Sequence, residues 1–346
     1  MGPTMHDVAR VAGVSIKTVS NVINDYPHVR PGTRERVIEA IGQLDYRPNL
    51  SARGLRSGRT GVIGLAVPSL RENYFAELAD SVIRAAEKRG LGVMVEQTSG
   101  QRDAELRVVS GSRPHFLDGL LFSPVSLGQD DAGALNHDVP LVLLGERIFG
   151  GPTDHVTMHN TSSAQAAVEH LLSIGRRRIA LVGADLDASD EANSASLRLK
   201  GYLRALEQAG IDIDPTLVRP TAMSKWNRTG GAEATHRMVR EGVSFDAVFA
   251  LSDTMGLGVL RALREEGLRV PDDVAVMGFD NIDESRYSVP SMTTVDPGRD
   301  EIAAIAVDRL IERIGEKDVR RPPETFKPAF RIVARESTGF TSTDQE

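Results

Sequence analysis

Short polar side chains that could contact DNA bases recur at helical spacing near the N-terminus. Residues 5–24 are MHDVARVAGVSIKTVSNVIN. In the second half of this stretch, Val19, Val22 and Ile23 fall on one helical face, which predicts that they point inward. The other positions of that helix point outward, and nearly all are polar and short: Ile16, Lys17, Thr18, Ser20, Asn21 and Asn24. Side chains of this kind can lie against base edges in the major groove.

A shorter helix is predicted directly before this one, and the pair indicates a helix-turn-helix. Its apolar face consists of Val8, Ala9 and Ala12. Thr4 and Asp7, three residues apart, have the pattern of a capping box at its start. Gly13 can adopt the left-handed conformation that ends a helix, and Ser15 is a favourable N-cap for the next one. An αα-hairpin at the edge of a helical bundle is the alternative interpretation of these residues.

Length and composition indicate a folded protein of more than one domain. The chain has 346 residues, of which 40% are hydrophobic and 26% charged, as in soluble globular proteins. It has no run of about 18 apolar residues, so we expect no membrane span. Its N-terminus lacks a secretory signal pattern, which predicts a cytoplasmic protein. The absence of cysteine excludes disulfides, thiolate chemistry and cysteine-ligated zinc.

Charge is distributed unevenly along the chain. Residues 1–60 contain nine Lys/Arg and five Asp/Glu, which gives this segment +4. Since the whole chain carries −7, the remainder carries −7 − 4 = −11. A basic head on an acidic body concentrates attraction for phosphate groups at one end, and this favours nucleic-acid binding by the head.

The head is predicted to be a three-helix domain followed by a hinge. A third helix starts at about Thr33 and completes a helix-turn-helix domain over residues 1–47. The apolar face of this third helix is Val37, Ile41 and Leu44. Residues 48–60 include LSARGLR, a helical segment too short to be stable alone. This segment is either a plain linker or a hinge helix that folds only on DNA.

From residue 61 onward, strands and helices alternate, which predicts parallel sheets covered on both faces. We therefore predict an α/β body of two lobes, each a Rossmann-like subdomain, over residues 61–346. The strand Met292–Val295 and the amphipathic helix after it are expected to return to the first lobe. The predicted division gives residues 61–160 and 292–325 to the first lobe, and residues 161–291 and the C-terminal strand to the second.

The body is predicted to hold a ligand-binding cleft but no catalytic site. Two lobes of this kind bind ligands at the carboxyl ends of their strands. The sequence contains no P-loop, no GxSxG, no HExxH and no kinase signature, and Gly256-Leu257-Gly258 lacks the third glycine of a dinucleotide fingerprint. His155 and His159 could in principle bind a metal, although solvated or core histidines are commoner. We expect no enzymatic activity, no metal and no cofactor.

Over essentially its whole length the chain resembles transcriptional regulators of the lactose-repressor (LacI/GalR) family. In the head the resemblance is carried by DVARVAGVSIKTVSNVIN at 7–24, YRPN at 46–49 and SARGL at 51–55. In the body it is carried by RLKGY at 198–202, GFDN at 278–281, VDP at 295–297 after two threonines, and VARESTG at 333–339. The resemblance implies an all-α helix-turn-helix head joined to an α/β, two-lobed, periplasmic-binding-protein-like body.

The resemblance implies that the head binds double-stranded DNA. Residues that match the major-groove helix are Ser15, Ile16, Lys17, Thr18, Ser20 and Asn21. Lys17 can donate to guanine O6 or N7, while Ile16 can make only apolar contact, for example with a thymine methyl. Asn21 stands where relatives commonly have arginine, so the guanine contact of that arginine is in doubt. Positions that match backbone contacts are Thr4, Asn24, His28 and Thr33, and those that match the minor-groove wedge are Leu55 and Ala52.

The resemblance also implies an effector site in the body. Phe75, with Tyr74 beside it, matches a residue that packs on the ligand ring, and Trp226 matches an aromatic platform for a sugar. Arg198 and Asp280 match a charged pair that holds polar groups of the ligand. Further polar positions are Glu146, Ser194, Ser252 and Asp253. Phe75 could instead belong to the core, and Asp280 could cap the turn after it.

Two departures from the family pattern bear on the ligand. Asp296-Pro297-Gly298 differs from the usual polar-Gln-Pro pattern, which puts contacts from that segment in doubt. Glu146 is acidic where some relatives have an aromatic residue. A carboxylate there disfavours a nucleobase and suits a polyhydroxylated ligand.

Two hypotheses from different classes follow from the sequence. The favoured one is a homodimeric transcription factor, a repressor of carbohydrate-use genes that binds a pseudo-palindromic operator and responds to a sugar or sugar derivative. The other is a cytoplasmic sugar-binding or sugar-modifying protein whose head is an interaction module. The sequence has no C-terminal heptad repeat that would argue for a tetramer.

Overall fold

The chain consists of a small head, Met1–Gly61, and a large body, Val62–Glu346. The computed structural model describes residues 3–23, 26–46, 59–110, 116–136, 139–187, 192–221, 225–316 and 321–340. Among the helices in these ranges, none has the length and apolar character needed to cross a membrane.

Three helices lie in the described part of the head. They are α1 (Met5–Ala12), α2 (Ile16–Ile23) and α3 (Pro31–Gln43). The predicted capping box is confirmed, because Asp7 N donates to Thr4 Oγ1 at 3.4 Å and Thr4 N donates to Asp7 Oδ2 at 3.0 Å. Helix α1 ends at Gly13, whose φ of 63° is left-handed. The residues buried in the head core are Val8, Ala9, Ala12, Val19, Val22, Val37, Ala40 and Tyr46.

Two six-stranded sheets, one in each lobe, form the centre of the body. The strands are β1 (Val62–Val67), β2 (Gly92–Gln97), β3 (Gly119–Phe122), β4 (Leu141–Leu144), β5 (Asp154–Val156), β6 (Ile179–Val182), β7 (Val218–Arg219), β8 (Ala247–Ala250), β9 (Ala275–Phe279), β10 (Thr293–Asp296), β11 (Thr325–Phe326) and β12 (Arg331–Val333). The order across the first sheet is β11-β5-β4-β3-β1-β2, and across the second it is β12-β10-β9-β8-β6-β7. Neighbouring strands are parallel except β10 and β12, so the predicted α/β class is confirmed.

Helices cover the faces of both sheets. They are α4 (Asn73–Glu87), α5 (Arg102–Val109), α6 (Asn160–Ser173), α7 (Ser194–Gln208), α8 (Arg228–Arg240), α9 (Asp253–Glu265), α10 (Asp283–Tyr287) and α11 (Arg299–Gly315). Short 3-10 segments lie at Gln129–Leu135, Pro215–Leu217 and Glu336–Thr338. The hydrophobic pattern did not predict α5, β5, α10 or β11. The last three have only two to five residues, too few for a periodic signal, and in α5 only Glu105 and Val109 are buried.

Within the described residues the chain passes between the lobes at three places. These crossovers lie between β5 and α6, between β10 and α11, and between β11 and β12. The last two are held together, because Arg331 Nη2 donates to Asp296 Oδ2 at 2.9 Å. Gly298, with a φ of 76°, lies so near the same segment that a Cβ there would be 2.8 Å from the carbonyl oxygen of Ala329. The ring of His159, in the first crossover, lies 5.9 Å from that of Phe330 in the third, so the crossovers are neighbours on one side of the body.

Strand β10 corrects the predicted lobe assignment. Met292–Val295 was expected to return to the first lobe, but β10 pairs with β9 and β12 in the second sheet. The helix after it, α11, packs on the first lobe against α4, β3 and β4. A short apolar strand fits the interior of either sheet, so its own pattern does not decide which neighbours it pairs with.

Helices α8 and α9 approach each other closely because each presents a glycine to the other. A Cβ at Gly258 of α9 would overlap the backbone carbonyl of Arg228, and a Cβ at Gly231 of α8 would overlap that of Met255. The two helices can therefore lie backbone against backbone beneath the second sheet. Any side chain at either position has to separate them.

We predict that Gly258→Ala destabilises the body, because the added methyl group has no space between the two helices. The cost of overpacking, about 1–3 kcal/mol, exceeds the gain in helix propensity of about 1 kcal/mol. Urea unfolding of the full chain measures the effect. Gly315→Ala is the matched control, since Gly315 also lies in a helix but a Cβ there would have nothing within 4 Å. Equal unfolding midpoints for the two variants would contradict the prediction.

Candidate functional site

The outward face of α2 carries the residues predicted to contact bases. Lys17 is exposed, and Ser20 and Asn21 are half-buried. Thr18 N donates to Ser15 Oγ at 3.1 Å, and the two hydroxyl oxygens lie 2.8 Å apart, so Ser15 caps the helix as predicted. Contrary to the expectation that Ile16 points outward, that residue is half-buried against the head core.

The predicted DNA-backbone positions surround this helix within the head. Thr4 and His28 are exposed, and Thr33 is half-buried in the first turn of α3. The ring of His28 meets that of Tyr26 edge-on, with centroids 5.5 Å apart. Arg34 Nη2 donates to the carbonyl oxygen of Tyr26 at 3.0 Å, which ties this loop to α3. The predicted positions Asn24, Ala52 and Leu55 lie outside the described residues.

A cleft of about 680 Å³ is lined by residues of both lobes. Its polar residues follow strand ends, as the fold predicts: Glu146 comes two positions after β4, Ser252 two after β8, and Asp280 directly after β9. Eight of the nine predicted effector residues line it: Tyr74, Phe75, Glu146, Ser194, Arg198, Trp226, Ser252 and Asp280. The volume is in the range typical of small-molecule sites.

Arg198, on α7, is fixed at the base of the cleft by protein partners on each guanidinium nitrogen. Nε donates to Asn160 Oδ1 at 2.8 Å, and Nη1 donates to the carbonyl oxygen of Leu251. Nη2 lies 3.7 Å from Met158 Sδ, and the guanidinium carbon lies 3.4 Å from the ring centroid of Phe279. Burial lowers the pKa of this guanidinium, and the partners compensate for its lost hydration.

Asp280 forms the predicted charged pair with Arg198. Its Oδ1 lies 3.8 Å from Arg198 Nη2, and the residue is only 6% exposed. Its φ of 117° is rare for a residue with a side chain, and its N–H donates to the carbonyl oxygen of Val295 at 2.9 Å. Burial raises the pKa of Asp280 well above 3.8, while the neighbouring Arg198 acts in the opposite direction. The carboxyl group faces Arg198 and not the turn that follows it.

Glu146 joins the two lobes across the cleft. Ser194 Oγ, at the start of α7 in the second lobe, donates to Glu146 Oε2 at 2.8 Å. The other carboxylate oxygen, Oε1, is buried and has no hydrogen-bond partner among the described residues. An unsatisfied buried acceptor costs about 1–3 kcal/mol. This oxygen is therefore suited to accept a hydrogen bond from a ligand.

Aromatic side chains from both lobes line the same cleft. Trp226, just before α8, is 9% exposed, and its indole Nε1 has no hydrogen-bond partner among the described residues. Phe75 and Tyr74 lie in the first turn of α4 with ring centroids 5.2 Å apart and ring planes at 73°. Phe75 also packs against the body core, so the binding and core interpretations both hold for it. Burial, and secondly the charge of Glu146, raise the pKa of Tyr74.

Asp253 corrects the sequence analysis, because it does not line the cleft with the other predicted residues. It is fully buried beneath the cleft, and burial raises its pKa to about 6. Its neighbour Ser252 lines the cleft and caps α9. The donors to the Asp253 carboxylate are Ile282 N at 3.0 Å, Ser285 Oγ at 2.7 Å and Thr294 Oγ1 at 2.5 Å. This residue holds strand ends together and is not placed to contact a ligand.

A second set of contacts between the lobes joins α4 to α10. Asp283 N donates to Glu77 Oε1 at 2.9 Å, and Asn73 Nδ2 donates to a carboxylate oxygen of Glu284. Arg299 Nη2 pairs with Glu77 Oε2 at 2.5 Å, and its Nη1 donates to the carbonyl oxygen of Asp280 at 3.2 Å. The backbone of the cleft residue Asp280 is thus connected to α4, whose first turn carries Tyr74 and Phe75.

Sequence reasoning missed Glu72, Arg147 and Asn160 as residues of this site. Asn160 holds Arg198, while Arg147 lines the cleft and donates to the carbonyl oxygens of Leu127 and Ala192 at 3.1 and 3.4 Å. Glu72 also lines the cleft, and burial raises its pKa from 4.5 to about 7. Arg147 directly follows Glu146 and Glu72 precedes Tyr74 by two residues, so proximity to predicted positions was the only available signal.

The two histidines considered as metal ligands have other contacts. His155 Nε2 lies 2.6 Å from the carbonyl oxygen of Gly145, and the ring of His155 meets that of Phe149 at 5.1 Å. The ring of His159 lies 5.9 Å from that of Phe330. In the described part of the chain, no cluster of three or more histidine or acidic side chains is arranged to hold a metal ion.

Comparison with known proteins gives matches along the whole chain. A family model described as bacterial regulatory proteins, lacI family, matches residues 4–49, and one described as a periplasmic binding protein-like domain matches residues 168–338. The ribose operon repressor of Escherichia coli (strain K12) is 32% identical over 320 residues, which cover 92% of this chain and 95% of that protein.

Two solved structures extend the likeness to the fold. The Lac repressor dimer bound to operator and the anti-inducer ONPF has a TM-score of 0.81 and 29% identity, covering 98% of this chain and 99% of that chain. The complex of the transcriptional regulator CelR with cellobiose has a TM-score of 0.68 and 31% identity, covering 97% of this chain and 99% of that chain.

The raised pKa of Glu72 predicts a pH dependence of stability. Its pKa is about 7 in the fold against 4.5 ordinarily, so between these values the folded state binds more protons than the unfolded state. This residue's contribution to stability is therefore full below pH 4.5 and falls as pH rises towards 7. Glu72→Gln should flatten the decline in the free energy of unfolding between pH 5 and pH 7, measured by urea titration. Glu87→Gln, at the exposed end of α4, is the control and should keep the wild-type slope.

Proposed function

The chain belongs to the lacI family of bacterial regulatory proteins and is a DNA-binding transcription regulator, and we propose that a small carbohydrate bound in its cleft controls its operator affinity. The observation that carries this proposal is the cleft itself. Aromatic rings, hydroxyls and carboxylates from both lobes line one volume of about 680 Å³. Similar proteins have been solved with an operator and an anti-inducer, and with cellobiose.

For the head, we propose that α2 enters the major groove. Lys17, exposed on its outer face, would donate to a guanine, and Thr4 and Thr33 would contact the DNA backbone. Because one head contacts one half-site, a pseudo-palindromic operator calls for a homodimer. Because the protein acts on chromosomal DNA, we place it in the cytoplasm.

For the body, we propose that the sugar stacks on Trp226 and Phe75 and hydrogen-bonds to polar groups at the strand ends. Indole presents a flat apolar face to the C–H face of a sugar ring. Ser252 and Asp280 supply hydrogen-bonding groups from the second lobe, and Glu146 supplies them from the first. Arg198 orients Asp280 and is itself held by the protein.

We propose that the effector acts by changing the relative stability of two arrangements of the lobes. The hydrogen bond between Glu146 and Ser194 and the contacts between α4 and α10 both join the lobes. A ligand that touches both lobes binds one arrangement more tightly and increases its population. Coupling of about 1–3 kcal/mol between effector and operator sites is typical of such proteins. Repression relieved by a sugar is the regulatory logic that fits a carbohydrate-use operon.

The alternative, a sugar-modifying enzyme with an interaction head, has weaker support. The family consists of transcription regulators, and the sequence holds no P-loop, GxSxG, HExxH or kinase signature. We therefore propose that the protein has no catalytic activity. Turnover of any sugar that binds the cleft would reverse this conclusion.

Lys17→Ala is expected to weaken operator binding about tenfold or more, because it removes a direct base contact worth about 1–3 kcal/mol. The wild-type protein first selects its operator from a random DNA library, and gel shift then measures both affinities. Lys88→Ala, which removes an exposed lysine of the body, should leave them unchanged. If the wild type selects no inverted repeat, the proposal for the head fails.

Trp226→Ala is expected to abolish the effector response and to leave operator affinity without effector unchanged. The substitution removes the stacking surface, whereas the head is untouched. Thermal-shift screening of wild type identifies the sugar, and gel shift with that sugar measures the response. Trp226→Phe keeps an aromatic face and should retain part of the response. Loss of operator binding without effector would show that Trp226 is structural.

A further inference from the structure

Four described residues that line the cleft have a buried polar atom without a hydrogen-bond partner: Glu146, Thr157, Thr221 and Trp226. The two threonine hydroxyls can donate or accept, whereas Glu146 Oε1 only accepts and Trp226 Nε1 only donates. Glu146 Oε1 and Trp226 Nε1 are both buried without a hydrogen-bond partner in the described part of the chain, and each residue is 9% exposed. The second oxygen of Glu146 is held by Ser194 at 2.8 Å, so the carboxylate is fixed in direction. A ligand that satisfies both atoms must offer a hydrogen to the first and an acceptor to the second. Hydroxyl groups do both.

The two cations that line the cleft are engaged with protein acceptors. Arg198 donates to Asn160 and to the carbonyl oxygen of Leu251, and its remaining nitrogen faces Met158 and Asp280. Arg147 donates to two backbone carbonyl oxygens. The cleft is lined by no lysine or histidine among its described residues. The guanidinium groups therefore orient the site and do not offer a preformed clamp for an anion.

The carboxyl groups on the same surface outnumber these cations. They belong to Glu72, Glu146, Asp185 and Asp280. A phosphate or carboxylate on the ligand would lose its hydration on entering the cleft and would face Glu146 Oε1, which accepts hydrogen bonds and has none to offer an anion. A free arginine fork is a common charge-assisted clamp for phosphate, and here both guanidinium groups already donate to protein acceptors.

From this set of groups we infer that the effector is an uncharged, unphosphorylated saccharide, and that Glu146 is the residue that discriminates against anionic sugars. One hydroxyl of the ligand donates to Glu146 Oε1, and one of its oxygens accepts from Trp226 Nε1. The inference rests on the proposed function, because it assigns a chemical class to the effector of the same cleft.

The test compares matched ligands on the full chain. The neutral probes are ribose, glucose, galactose, maltose and cellobiose, the anionic ones are ribose 5-phosphate, glucose 6-phosphate and galacturonate, and glucosamine is the cationic one. Thermal shift at about 10 mM ligand finds those that bind the folded state, and calorimetry gives their affinities. At least one neutral sugar should raise the melting temperature, and its anionic counterpart should bind at least about a hundredfold more weakly.

Two variants isolate the role of Glu146. Glu146→Gln should weaken the neutral sugar about tenfold, because a charge-assisted hydrogen bond becomes a neutral one, and should narrow the gap to the anionic sugar. Glu87→Gln removes one carboxylate from the exposed end of α4, outside the cleft lining, and should change neither affinity. Equal effects of the two variants would overturn the assignment. Should Glu146→Gln fail to fold, Ser194→Ala frees the carboxylate and should weaken the same sugar.

The outcomes separate this inference from the function on which it rests. If an anionic sugar or glucosamine binds more tightly than every neutral probe, the proposed ligand class is wrong. If that same ligand also changes operator affinity, the proposed function still holds. Failure of every neutral probe also overturns the class. If no probe of any charge alters thermal stability or operator binding, both the ligand class and the proposal of a carbohydrate effector fail.

Discussion

A single buried carboxylate, that of Asp253, connects the segments on which the cleft of the second lobe depends. It accepts hydrogen bonds from Ile282 N in the loop after β9, from the hydroxyl of Ser285 in α10, and from the hydroxyl of Thr294 on β10. Gly278 belongs to the same arrangement, because a Cβ there would overlap a carboxylate oxygen of Asp253. Burial raises the pKa of this group to about 6, so the three donors are what make a carboxylate tolerable at this depth. The loop that carries Asp280 is fixed as a result.

The cleft combines a rigid base with a rim that joins the lobes. Arg198 is held from below by Asn160 and by the ring of Phe279, all within the second lobe. Glu146 and Ser194, by contrast, belong to different lobes and share one hydrogen bond at 2.8 Å. A change in the separation of the lobes therefore breaks few contacts within either lobe. In the proposed mechanism, the rigid base would give the site its specificity and the hydrogen bond between the lobes its response to a ligand.

Much of the fold follows from the sequence because it depends on local signals. Helical spacing, the Thr4 capping box and the position of Gly13 are contained within a few residues, and each was confirmed. The lobe of β10 was wrongly predicted because pairing between strands is a long-range property that its own four residues do not encode. Tyr46 was noted only as part of the YRPN motif, since nothing in its neighbours reveals that it fills the head core.

The candidate site follows the same division. Eight predicted residues line the cleft, because residues that follow parallel strands meet at one edge, whereas Asp253 is one position further along α9 and turns away from it. Local spacing cannot distinguish two adjacent polar residues when one faces the ligand and the other faces the interior. The polar partners of Arg198 were missed for a similar reason, since Asn160 and Leu251 are distant in sequence.

The three crossovers among the described residues constrain how the lobes can move. A single connection would leave the two lobes free to rotate against each other about every axis. Three crossovers on one side act as a hinge. They allow the lobes to open about the line that joins the crossovers, and they resist twisting of one lobe against the other. Two of these crossovers are held together by the ion pair between Asp296 and Arg331 and by the close approach of Gly298 to Ala329. These contacts favour closing of the cleft on a ligand in one defined direction.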